Sequence, residues 1–107
     1  MTNRILLFFF LLSISGLCAQ KSGDVNEFLN KSILAIQNED YDQALIYIER
    51  AKNIDDNSVE IYRLEAQLQE ILGNNLEAMI AWENCLNLAQ SDSLRKEAEV
   101  HINHLKE

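Results

Sequence analysis

Apolar positions recur every three or four residues over most of the chain, the period of a helix with one face turned inward. The stretch DYDQALIYIERAKNI, Asp40 to Ile54, places Ala44, Leu45, Ile48 and Ala51 this way. The arrangement returns in NNLEAMIAWENCLNL, Asn74 to Leu88, as Ala78, Met79, Trp82, Cys85 and Leu86. Ala44 and Ala78, Ile48 and Trp82, and Ala51 and Cys85 are each 34 residues apart. A fixed period of that size marks one supersecondary unit used more than once.

Capping patterns punctuate the apolar runs. Asp24 with Glu27, Asp40 with Gln43, Asn57 with Glu60 and Asn74 with Glu77 each set a short polar side chain three residues before an acid or amide. That spacing satisfies the free N–H groups at a helix start, so four helix starts are expected. The first helix carries Val25, Phe28, Leu29, Ile33, Leu34 and Ile36, with small Ser32 and Ala35 among them, and runs to about Asn38. The second ends near Asn53, before a polar turn at Asp55 to Asn57. The third holds Ile61, Tyr62, Leu64, Ala66, Leu68, Ile71 and Leu72 and stops at Gly73, the residue that most easily adopts the left-handed conformation past a helix end. After the fourth, the polar link Gln90 to Ser93 leads to a last helix with one apolar stripe, Leu94, Ala98, Ile102 and Leu105. Its remaining faces are mostly charged or polar, as a terminal capping helix requires. The expectation is an all-α chain, and the absence of Pro and the presence of only three Gly agree with it, since both residues are costly inside helices.

Residues 1–20, MTNRILLFFFLLSISGLCAQ, follow a different rule. Arg4 precedes an unbroken apolar run, Ile5 to Leu12, and a small, weakly polar segment follows. This is the layout of a secretory signal peptide, and the run is short for a membrane span of roughly 20 apolar residues. Cleavage is expected before Ala19 or before Gln20. Retention as a short anchor, and lipidation at Cys18, are the alternatives. Large Leu17, directly before Cys18, counts against lipidation. The expected domain is residues 21–107, exported to a periplasm, cell envelope or the exterior.

Composition sets the class of partner. The chain carries 17 acidic and 9 basic side chains, a net charge of −8. Phosphate-backbone binding needs clustered Lys and Arg, so nucleic acid is not an expected partner. A membrane is expected only if the leader is retained or lipidated. An apolar or mildly basic protein segment fits the charge better. A domain this small has a thin core, so a homodimer formed through the first helix is a further expectation.

The two related stretches resemble the tetratricopeptide repeat family, a 34-residue helix–turn–helix. The early aromatic of its first helix is matched by Phe28 and Tyr62, and the small residue four places on by Ser32 and Ala66. In the second helix the family's small, larger and small positions are matched by Ala44, Ile48 and Ala51, and again by Ala78, Trp82 and Cys85. The inter-helix Gly survives as Gly73, with Glu39 in the other copy. Lys31 and Glu65 replace the family's Leu, and Asp56 and Gln90 its closing Pro. The resemblance implies two repeats, about 25–58 and 59–92, a capping helix at about 93–107, and together a right-handed α-solenoid fragment. It also implies a scaffold that binds protein or peptide segments, with no catalytic role and no cofactor. Export together with such repeats is similar to small periplasmic or cell-envelope proteins of Gram-negative bacteria.

Ligands of the family lie on the concave face formed by the first helix of each repeat. Carried onto this sequence, its inward positions give three rows: Leu29, Arg63 and Glu97; Ile33, Gln67 and His101; Ile36, Glu70 and His104. Leu29 and Ile33 stand where a clamp for C-terminal carboxylates would need polar groups, so an apolar or mildly basic segment beside Glu70 is the expected ligand. The competing reading makes Leu29, Ile33 and Ile36 core. Other chemistry is sparse. Cys85 occupies a small inward position and reads as packing. His101 and His104, with Glu97 a turn earlier and Glu70 from the preceding repeat, are a weak alternative as a metal site. Tyr41, Tyr47, Tyr62 and Trp82 read as packing residues. No carboxylate stands in a recognisable nucleophile or acid–base arrangement.

Overall fold

The computed structural model describes residues 24–107. The leader at 1–20, its cleavage positions and Cys18 lie outside the described residues. Helix α1 covers residues 24–37. It is followed by α2 (Tyr41–Ile54), α3 (Val59–Ile71), α4 (Asn75–Leu88) and α5 (Asp92–Leu105). Among the described residues there is no strand.

The helix starts use some of the expected caps and replace others. Asp40 caps α2, its carboxylate accepting from the Gln43 N–H at 3.4 Å. Helix α3 is preceded by Ser58, not Asn57. The Asn57 N–H turns back to the Asp55 carboxylate at 3.0 Å, and the Ser58 hydroxyl donates to Glu60 at 3.0 Å. Asn74 stands at the N-cap of α4, but its side-chain amide donates to Gln69 at 2.8 Å. Asp24 is already helical, and Glu27 pairs with Lys31 at 3.0 Å. Short polar side chains choose among several nearby partners, which is why spacing alone misplaces caps. Helix α5 opens earlier than Leu94 because the Ser91 hydroxyl accepts from the Leu94 N–H at 3.2 Å.

Two turns close in the same way. The Glu39 N–H reaches the Ile36 carbonyl and the Asp40 N–H the Ala35 carbonyl, at 3.0 and 2.8 Å. The Gly73 and Asn74 N–H groups repeat this with Glu70 and Gln69, at 3.0 and 2.9 Å. This is the Schellman closure, which needs a left-handed residue just past the helix. Gly73 supplies it at φ 77° and Glu39 at φ 59°.

Short connections force sequential helices to run antiparallel, so α1, α3 and α5 point one way and α2 and α4 the other. Helix α3 packs on α2 and α4, and α4 on α5. Two apolar clusters result. The first gathers Ala35, Ala44, Ile48, Ala51, Ile61 and Leu68. The second gathers Ala66, Ala81, Trp82, Cys85, Ala98 and Ile102. Ala44, Ala51, Ala78 and Cys85 are fully buried. These small side chains let neighbouring helices approach closely. Ser32 is also fully buried, its hydroxyl donating to the Ala44 carbonyl of α2 at 3.1 Å.

Candidate functional site

Between α1 and α3 lies an open groove of about 680 Å³. Asn26, Leu29, Asn30, Ile33, Ile36 and Gln37 line it from α1, and Glu60, Arg63, Leu64, Gln67 and Ile71 from α3. Asn26 with Glu60, Leu29 with Arg63, Asn30 with Leu64, Ile33 with Gln67 and Gln37 with Ile71 are each 34 residues apart. The two walls are thus built in the same register.

The three aliphatics of α1 are divided between roles. Leu29 and Ile36 are half-buried and pack on the first cluster, while also lining the groove. Ile33 is 42 % exposed, and Ile71, on the α3 wall, is 52 % exposed. Apolar surface of this kind, rimmed by Asn26, Asn30, Gln37 and Gln67, is the usual form of a site for a partner's side chains.

Five of the eight expected site residues, Leu29, Ile33, Ile36, Arg63 and Gln67, meet in the groove. The other three lie between α3 and α5. Glu97 binds the Arg63 guanidinium at 3.0 Å, which keeps the expected row. Glu70 does not line the groove and does not meet His104. It accepts the Trp82 indole N–H at 2.9 Å and lies 2.9 Å from the His101 Nδ1. The His101 ring stacks on Trp82, centroids 4.3 Å apart and planes at 20°. A buried indole N–H needs an acceptor, and that requirement turns Glu70 towards α4 and α5. His104 lies 3.9 Å from Glu107 at the exposed end of α5. The two histidines therefore have different carboxylate partners and do not converge. Among the described residues no three His, Cys, Asp or Glu side chains form a group able to hold a metal ion.

Lys31 and Glu65, charged residues on α1 and α3, have local partners. Lys52 and Glu65 pair at 3.2 Å in a partly buried contact between α2 and α3. Burial draws the Lys52 pKa down, and the carboxylates of Glu65 and Glu49 outweigh it, so the net direction is up. Lys31 lies 5.9 Å from the Tyr47 ring centroid and 6.0 Å from that of Phe28, two rings that stack on each other at 6.2 Å. Cys85 is a free thiol buried in the second cluster. Burial, with the Glu97 charge adding to it, pushes its pKa up to about 12. At neutral pH it is a packing group and not a nucleophile.

Asn26, Asn30, Gln37, Glu60, Leu64 and Ile71 line the groove without having been expected there. Their signal was available, since the 34-residue period that ties Leu29 to Arg63 also ties Asn26 to Glu60 and Gln37 to Ile71. No family model, no curated protein and no solved structure matches this chain.

Proposed function

We propose that the chain is a protein–protein interaction module of a bacterial cell envelope, an adaptor or assembly factor that holds a partner's segment in the α1–α3 groove. In this reading residues 25–58 and 59–92 are tetratricopeptide-like repeats, the final helix caps a right-handed solenoid fragment, and the chain has no catalytic activity. Support for the repeats comes from burial of Ala44, Ala51, Ala78 and Cys85 at the shared spacing, and from the matched Schellman turns at Glu39 and Gly73. Support for export is confined to the leader pattern in the sequence. The observation that carries the binding role is the groove itself, with Ile33 and Ile71 left exposed between polar rims.

A photo-crosslinking residue at Ile33 tests this in cells of the source, with the same residue at Ile80 as control, since Ile80 is exposed outside the groove. A discrete protein adduct at position 33 and none at position 80 is the expected result. Equal labelling at both positions, or none at either, rejects the groove as the binding site. Self-association through α1 is the second reading, favoured by Leu34, which is 58 % exposed on the same helix as Ile33. A mass by light scattering that doubles with concentration, and returns to the monomer in Leu34→Glu, distinguishes it.

A further inference from the structure

We propose that the groove selects its ligand by charge and orientation. It takes a short segment whose basic residue lies at the end formed by the start of α3, and whose apolar side chains lie three to five positions away against Ile33, Ile36 and Ile71. This rests on the groove being the binding site and adds what it recognises.

Because α1 and α3 run in the same direction, the groove has two distinct ends. Asn26 and Glu60, from the first turns of the two helices, form one end. Ile33, Ile36 and Ile71 form the other, with Gln37 and Gln67 beside them. Charge is confined to the first end. Of the lining residues only Glu60 and Arg63 are charged. Arg63 is neutralised by Glu97 at 3.0 Å. Glu60 is exposed, and the partner of its carboxylate is the uncharged Ser58 hydroxyl at 3.0 Å. The positive end of the α3 dipole, roughly half a charge, offsets Glu60 only in part. The remaining negative charge agrees in sign with the acidic chain as a whole, which has a net charge of −8. Complementary charge fixes the register and direction of a bound segment more than its affinity.

Helix geometry sets the length. At a rise of about 1.5 Å per residue, the wall from Glu60 to Ile71 is about 16 Å long. An extended ligand rises about 3.3 Å per residue, so about five residues span it. The centre of the apolar end is about three to five ligand residues from Glu60, which gives the spacing of basic and apolar side chains.

Selection from a phage library of random dodecapeptides tests the inference, using the purified chain, Glu60→Lys and Glu60→Gln, each checked for helix content by circular dichroism. On the unmodified chain the expected enrichment is Lys or Arg three to five positions from a pair of Leu, Ile, Phe or Met. On Glu60→Lys the basic residue should change to Asp or Glu, and on Glu60→Gln the charge preference should disappear. Isolated peptides from the first selection should bind Glu60→Lys at least about tenfold more weakly. Enrichment of apolar peptides without a charge preference, or with one unchanged by Glu60→Lys, overturns the inference and leaves the groove as a binding site. A failure of any peptide to enrich, or a dimer of the chain that excludes them all, overturns both readings.

Discussion

Cys85 is the side chain whose chemistry the fold suppresses most. Its thiol is buried and its pKa is raised from 9.0 to about 12. The unfolded chain releases this proton at a lower pH than the folded chain. The stabilising contribution is therefore complete below pH about 9 and declines as pH rises towards 12. Urea unfolding between pH 8 and 10.5 should show a steeper decline for the native chain than for Cys85→Ala. At pH 8 a thiol reagent should label Cys85 only after denaturant is added. Glu70 makes a second case. Glu70→Leu leaves the indole N–H of buried Trp82 without its acceptor and should lower stability by about 1–3 kcal/mol in denaturant titration. Removing the exposed Arg95–Asp92 pair should change it by less than about 0.5 kcal/mol. The buried small positions were legible in the sequence because their spacing repeats. The place of Glu70 was not, because it is decided by the needs of an indole on another helix and leaves no trace in local periodicity.

Among the elements, the turns carry the clearest asymmetry. Both Schellman closures require a left-handed residue, and only one has Gly. Glu39→Gly should raise stability by about 0.5–1 kcal/mol, and Gly73→Ala should lower it by about 1 kcal/mol, measured as shifts in thermal midpoint. A Cβ at Gly73 meets nothing within 4 Å, so the effect of Gly73→Ala is conformational and not a steric clash. Helix existence and the single stripe of α5 were readable from apolar spacing, and Ala98 and Ile102 are buried there. Helix starts were less readable. Asp55, Asn57 and Ser58 are neighbouring candidates with similar side chains, and the bonds they make, Asn57 N–H to Asp55 and Ser58 to Glu60, form only once the turn is made.

At the scale of the whole molecule, separation into two clusters makes α5 indispensable to one of them. Ending the chain at Ala89 uncovers Trp82 and Cys85 and removes Ala98 and Ile102 from their cluster. Such a chain should bind a hydrophobic dye and lose cooperative melting, because the apolar surface of the second cluster would then face water. Ile33→Glu and Ile71→Glu, by contrast, should each change stability by no more than about 0.5 kcal/mol, because both side chains are exposed. A larger loss on either would mean that the groove wall is core. The aliphatic character of α1 was plain in the sequence, but whether another helix covers it depends on tertiary packing, which one-helix periodicity does not encode. The position of Trp82 has one more consequence. It is the chain's one tryptophan and it belongs to the second cluster alone. Its emission follows the α3–α4–α5 half and is blind to the loss of α1 and α2. Melts followed by indole fluorescence and by ellipticity will coincide only if the halves unfold together, so two spectrometers suffice to measure how strongly one half of the chain holds the other.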